Sequence, residues 1–581
     1  MNRPGGFPFR IAFATCFILL ASLNVAHAQS KADKIDKLIS AYTEYGKFNG
    51  SVLVADKGNV IFKKGFGLAD MEWNIPNQPD TKHRLGSITK QFTAMLILQL
   101  VEQGKLKLDV PITTWLPDYP KKNGDIITIH HLLTHTSGIP NMTSFPGFLK
   151  NVSRNAYTPA QLVGMSADST LEFKPGERFA YSNSGYLVLG YIIEKATGKS
   201  YGQVLQENIL TPLGMKNTGY DHHETLLKNR ARPYEKNGRH YVNAHFIDMS
   251  VPHAAGAMYS TVEDLYRWEQ ALYANQLLRK ENMELLFGKH IPSWGNSHYG
   301  YGWGIGDIPL GNTQERIATI GHGGGINGFN TQITRIPSDQ SFIVLLNNTG
   351  GAPLGEMTNA IAAILYDKSY DLPKRSVAYS LADKIDKEGL VAALQFYPDI
   401  KDATGYYLNE YEMNGTGYEF MLAGKLKEAA AIFRLNTEAF PKSANVYDSY
   451  GEALTALGDK TAAIENYKKS VRLNPRNENG IKVLKENGVN TEDLIFKVSA
   501  SDLKLLEGEY TNIDNKEWKI TFEITDGTLY GSDRGYRYRV LPVAKGEFVN
   551  PDDGASLVFD TKDKKAITMV LFGRERFRKG M

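Results

Sequence analysis

Between residues 410 and 475 the same residue types return at a spacing of 34. Gly424 is matched by Gly458, Ala429 by Ala463, Phe433 by Tyr467 and Pro441 by Pro475. A fixed period of this length restricts the segment to a stack of like helix–turn–helix units. The residue types suit that geometry. An alanine lets two helices approach closely, and an aromatic one turn further on fills the space beside it. Two units are visible, about 410–441 and 444–475, fewer than the roughly three that make a stable stack. Helices near 377–397 and 478–487 are expected to close the ends. The repeats read either as a spacer or as a groove for a protein partner.

The repeat divides the chain of 581 residues into three textures. From 29 to 372, Gly, Pro and aromatics are scattered among mixed strand and helix patterns. Ser51–Asp56 and Val60–Phe62 read as strands around a Lys57-Gly58-Asn59 turn, and Phe329–Arg335 and Ser341–Leu346 as a second hairpin around Pro337-Ser338-Asp339. Phe92–Val101 is apolar nearly all round, the pattern of a buried helix, with Gly104 as its stop. The repeats occupy about 377–495. From 500 to 581, short strands such as Glu509–Thr511, Trp518–Phe522, Thr528–Tyr530 and Leu557–Phe559 alternate with Gly and Asp turns. That texture predicts a small all-β barrel or sandwich.

The N-terminus has its own logic. Arg3 and Arg10 precede an apolar stretch from Ile11 to Val25, and Ala26-His27-Ala28 follows. This is the three-part pattern of a secretory signal peptide spanning 1–28. The alternative is an uncleaved anchor, but the apolar stretch is shorter than the roughly 20 residues a spanning helix needs. Cleavage after Ala28 would remove the only cysteine, Cys16, and leave 553 residues with a net charge of +1. A periplasmic or secreted protein follows, with no membrane span after processing, no disulfide and no cysteine chemistry. Lys+Arg 66 against Asp+Glu 63 shows no basic excess, so nucleic acid is not an expected partner.

Three short elements in the first region carry chemistry. Ser87-Ile88-Thr89-Lys90 is an S-x-x-K element; on a helix the two polar residues share a face, and a serine becomes a useful nucleophile beside a base. Tyr181-Ser182-Asn183 follows a Lys174-Pro175-Gly176-Glu177 turn and is expected on a loop. Tyr181 can relay a proton, and the Asn183 amide can hold Lys90 and a substrate amide. Gly321-His322-Gly323-Gly324-Gly325 is a glycine-rich strand edge to which a substrate backbone can lie close. The Gly325 and Ser87 N–H groups can form an oxyanion hole, and His322 can orient a substrate carboxylate.

Together and in this order, the three elements resemble the penicillin-recognising serine hydrolases, a family of class C β-lactamases, D,D-peptidases, D-aminopeptidases and esterases. Leu132–Gly138, with Thr134-His135-Thr136-Ser137, and Ala255–Thr261 are similar to that branch as well. The repeat period is similar to that of the tetratricopeptide repeat. The family resemblance implies an α/β fold, an antiparallel sheet flanked by helices plus a helical subdomain. It also implies an acyl-enzyme on Ser87, with Lys90 and Tyr181 sharing the proton transfers; the motif does not say which is the base. Asn183, His322, Gly324 and Gly325 are implied to bind substrate, with no cofactor and no metal. Class C β-lactamases usually carry Lys-Thr-Gly where this chain has His322-Gly323-Gly324. That substitution shifts the expectation from β-lactams to a peptide, with D-residues among the candidates, or to an ester. The alternatives are a true class C-like β-lactamase, or a slow penicillin- or peptidoglycan-binding module with partner-binding repeats.

Other patterns are set aside. Gly198-Lys199-Ser200-Tyr201-Gly202 and His322–Gly325 mimic α/β-hydrolase elements, but their order is reversed. Ile193 stands where a phosphate-binding loop needs glycine. His131 and His135 are four apart, a spacing that suits zinc, but no H-E-x-x-H occurs and a structural role is expected.

Overall fold

The computed structural model describes residues 29–494, 496–562 and 567–580. The signal-peptide expectation and Cys16 lie outside the described residues.

An eight-stranded antiparallel sheet organises the first region. Its strands are β1 (Gly50–Asp56), β2 (Asn59–Phe66), β3 (Ile291–Pro292), β4 (His298–Tyr299), β5 (Gly304–Pro309), β6 (Arg316–Ile326), β7 (Phe329–Ile336) and β8 (Ser341–Asn347), in spatial order β3-β4-β5-β6-β7-β8-β1-β2. Both faces are covered, so central strands are apolar without alternation. In β1, Val52 and Val54 face helices α1 (Lys31–Glu44) and α4 (Leu354–Leu365), while Leu53 and Ala55 face the larger core on the other side. That core holds α2 (Thr89–Glu102) and α3 (Asn183–Thr197). Helix α2 is buried nearly all round, as its continuous apolar run predicts. Both hairpins read from the sequence are present.

Strands β5 and β6 pair only from Pro309↔Arg316 to Gly304↔Gly321. From His322 to Ile326, β6 pairs with β7 alone. Its other edge is therefore free of a neighbouring strand over the glycine-rich segment.

The helical region keeps the 34-residue period in its contacts. A side chain at Gly417 would strike the Phe433 ring at 2.5 Å, and one at Gly451, 34 residues on, would meet the Tyr467 ring at 3.1 Å. Gly424 and Gly458 both have positive φ, where each first helix turns into its second. The end helices occur at Val377–Glu388, Leu390–Ile400 and Glu478–Glu486. A hairpin of the first region, Tyr234–Asn237 and His240–Asn243, reaches this stack. Its Arg239 donates to Glu419, Asp383 and Asp386 at 2.5–3.1 Å. The last region, strands between Gly508 and Lys579, is a closed eight-stranded barrel rather than a sandwich.

Candidate active site

Ser87 sits in the single 3-10 turn Gly86–Ile88 that leads directly into α2, so Lys90 follows one turn later on the same face. The Lys90 amine is fully buried and lies 3.1 Å from Ser87 Oγ. It donates to Asn183 Oδ1 at 2.8 Å and to the Ala255 carbonyl at 2.9 Å. No carboxylate is paired with it among the described residues. Burial alone drives its pKa well below the ordinary lysine range.

These three partners serve both charge states. A neutral amine has two N–H bonds, which satisfy the two oxygens that can only accept, Asn183 Oδ1 and the Ala255 carbonyl. Its lone pair is then left for the Ser87 proton. Once protonated, its third N–H finds Ser87 Oγ as an acceptor. The site can therefore move a proton without rearranging side chains.

Asn183 opens α3 and is not a loop residue; only Tyr181 and Ser182 precede the helix. Asn141 Oδ1 accepts from both the Asn183 backbone N–H, at 3.2 Å, and its side-chain amide, at 3.3 Å. The amide is thereby turned so that Oδ1 points at Lys90. Tyr181 Oη is buried with no hydrogen-bond partner among the described residues. Burial pushes its phenol well above the usual range, opposed by the neighbouring Ser87 hydroxyl. It is a protonated hydroxyl at neutral pH. The Lys90 amine stands 4.8 Å over its ring.

His322 belongs to a hydrogen-bonded chain that the sequence did not reveal. The Ser182 backbone N–H donates to His135 Nδ1 at 3.1 Å, so in the neutral ring the proton sits on Nε2. His135 Nε2 then donates to Tyr299 Oη at 3.2 Å, and Tyr299 donates to His322 Nε2 at 2.9 Å. His322 Nδ1 donates to the Gly323 carbonyl at 2.6 Å. A backbone donor at one end and a carbonyl acceptor at the other fix every proton between them. Burial, with the Lys90 charge second, lowers the His322 pKa to about 4; burial drives His135 well below its ordinary value too. Both rings are neutral near pH 7. His131 accepts the Thr128 N–H in a helix cap and belongs to no metal-ligating cluster among the described residues.

The glycines divide. A Cβ on Gly324 would lie 1.9 Å from the Leu85 carbonyl, and Thr331 Oγ1 donates to that carbonyl at 2.8 Å. Gly324 thus presses β6 onto the turn that carries Ser87. A Cβ on Gly86, at φ +55°, would lie 2.8 Å from the Gly325 carbonyl oxygen. Gly325 itself is open on its outer side and lines a cavity of about 320 Å³ together with Ser87 and Asn183. The rest of that cavity is largely apolar: Met142, Phe148, Leu149, Leu187, Ile247 and Val251. Tyr181 does not line this cavity; its ring packs among His135, Trp294 and His322.

A buried lysine without a carboxylate partner, set against a serine at a helix start and beneath a strand edge with no neighbouring strand, defines a serine hydrolase of the β-lactamase fold. The β-lactamase family profile matches residues 35–366, and the chain belongs to that family. It is similar to penicillin-binding protein 4* of Bacillus subtilis, at 31% identity over 71% of this chain and 91% of that protein. It is also similar to esterase EstB of Burkholderia gladioli, at 27% identity over 58% of this chain and 96% of that one. The D-amino acid amidase structure of Ochrobactrum anthropi SV3 superposes with a TM-score of 0.51 and 27% identity, covering 58% of this chain and 98% of that one. Among the described residues, no helix is long and apolar enough to cross a membrane.

Proposed function

We propose that the protein is an exported hydrolase that cleaves an ester or amide bond through an acyl-enzyme on Ser87. The observation that carries this reading is the buried Lys90 amine, 3.1 Å from Ser87 Oγ and without a carboxylate partner. Neutral Lys90 takes the Ser87 proton as Oγ bonds to the acyl carbon. The bond to the leaving group then breaks. The leaving oxygen or nitrogen takes a proton from Tyr181, which regains one from the Lys90 ammonium. Water reverses the sequence: its oxygen bonds to the acyl carbon, its proton passes to Lys90, and Ser87 Oγ leaves with a proton. The Ser87 and Gly325 N–H groups receive the developing oxyanion, and Asn183 holds Lys90 and the substrate. Of the two groups the sequence left open, Lys90 is the base, because a phenol held protonated is a donor.

His322 is neutral above about pH 4, so it offers a β-lactam carboxylate no cation. This favours esters and neutral amides over β-lactams. The relatives' names, a penicillin-binding protein, an esterase and a D-amino acid amidase, agree with acyl transfer and differ in acyl donor. Export rests on Arg3, Arg10, the Ile11–Val25 stretch and Ala26-His27-Ala28. N-terminal sequencing of protein recovered outside the cytoplasm should begin at Gln29.

The mechanism is tested by treating the full chain with a fluorescent alkylphosphonate and locating the adduct by mass spectrometry. The expected adduct is on Ser87 and is absent from Ser87→Ala. Labelling that survives that substitution overturns the assignment. An acyl adduct that forms from esters but never turns over would mean a binding module instead.

A further inference from the structure

We propose that the cavity beside Ser87 is an acyl pocket for an uncharged, apolar acyl group, so that the substrates are esters or amides of neutral hydrophobic acids. The inference rests on the acyl-enzyme reading and adds to it the chemical class of the acyl donor.

Two observations place the acyl group on this side. First, the proton donor proposed for the leaving group, Tyr181, is packed among His135, Trp294 and His322, and none of these lines the cavity. The leaving group therefore departs toward the aromatic side. Second, Gly325, whose N–H is one of the two proposed oxyanion donors, does line the cavity, as does Ser87. A carbonyl carbon on Ser87 with its oxygen toward Gly325 must direct its remaining substituent into this space.

The lining then selects the chemistry. The side chains with polar atoms that reach the cavity are Ser87, Thr143, Asn183 and Asn327; none is ionisable at neutral pH. The Asn327 amide is engaged with the His245 carbonyl at 2.8 Å. Lys90, the nearest cation once protonated, has its three N–H bonds assigned to Ser87, Asn183 and Ala255. A substrate carboxylate or ammonium entering here would lose hydration and meet no group of opposite charge in the lining. A hydrocarbon chain would gain burial against Met142, Leu187, Ile247 and Val251. Leu149, 62% exposed, stands at the mouth.

The test uses the full chain and p-nitrophenyl acetate, butyrate and octanoate, with the p-nitrophenyl hemiester of succinate as a charged match for butyrate. The expected octanoate-to-acetate ratio of kcat/KM is at least tenfold, and butyrate should exceed succinate by at least tenfold. Leu149→Glu and Thr143→Glu, both at exposed positions, should each reduce the octanoate-to-acetate ratio tenfold or more. A ratio near one in the unsubstituted protein, or succinate equal to butyrate, overturns the pocket. Unchanged ratios in both variants do so too. Phosphonate labelling of Ser87, read in the same preparations, separates the two levels. Labelling without chain-length preference sinks the pocket alone, whereas no labelling sinks the acyl-enzyme as well.

Discussion

The two sides of Ser87 are built on opposite plans. On one side, every polar atom from Ser182 through His135 and Tyr299 to His322 has a single allowed proton position, set by a backbone donor and a backbone carbonyl. On the other side, the cavity wall carries no ionisable group at all. The first plan holds the neutral groups packed around the Tyr181 ring in one arrangement. The second makes selection depend on shape and hydrophobicity. Chemistry and selectivity are thus separated in space, with Ser87 and Asn183 shared between them.

The largest way to break this division is at the shared serine. Ser87→Ala should reduce kcat by about 10⁴-fold or more for every substrate, with long and short acyl groups falling alike. Lys90→Met should cost about 10³-fold, within the range of general acid–base catalysis, as measured by initial rates and by the rate of phosphonate labelling. The pH profile of that labelling sharpens the same point. Neutral Lys90 is the reactive form, so the rate should fall as pH is lowered through the Lys90 pKa, at a midpoint well below 10.5. Lys90→Met should lack that limb.

Tyr299→Phe touches the ordered side alone. Tyr299 positions His322 and does not act on substrate. Its loss leaves both histidine nitrogens without their partner and frees the His322 tautomer. The expected result is a drop in kcat of about tenfold with KM within twofold and an unchanged octanoate-to-acetate ratio. A purely structural loss would lower the melting temperature without this kcat–KM split.

The remaining expected effect is on stability rather than on rate. His83 and His253 are buried, and burial holds each at about pKa 4 against 6.5 in an unfolded chain. Between those values the unfolded chain binds the extra protons, so stability is complete above about pH 6.5 and is lost as pH falls toward 4. At about 1.4 kcal/mol per pKa unit the ceiling is about 3 kcal/mol apiece. Differential scanning calorimetry should show the melting temperature falling across that window, and His253→Gln should flatten the slope.

Much of this was legible in the sequence, and the reason is locality. Ser87 and Lys90 meet because they are three apart on one turn. Strands β1, β2, β7 and β8 were visible as two hairpins with short turns. The repeats were visible because Gly424, Ala429, Phe433 and Pro441 each find a like residue 34 positions on. Three features were not legible, for one shared cause. The Ala255 carbonyl carries no side-chain signature. His135 and Tyr299 come together from segments 164 residues apart. The cavity draws on separate stretches around 142–149, 187, 247–256 and 325–327, none of which has a periodic pattern of its own. Asn183 was expected on a loop because the preceding Pro175-Gly176 turn outweighed the helical run that begins directly at it.

Arg239 gives the helical stack an address. Its carboxylate partner Glu419 lies in the first repeat, and the position 34 residues on is Ala453, a buried alanine with no charge to offer. The two units are alike in how they pack but not in what they present to the hydrolase. The enzyme is therefore moored at one berth along the stack. Sliding it by a single repeat would leave the guanidinium facing a methyl group.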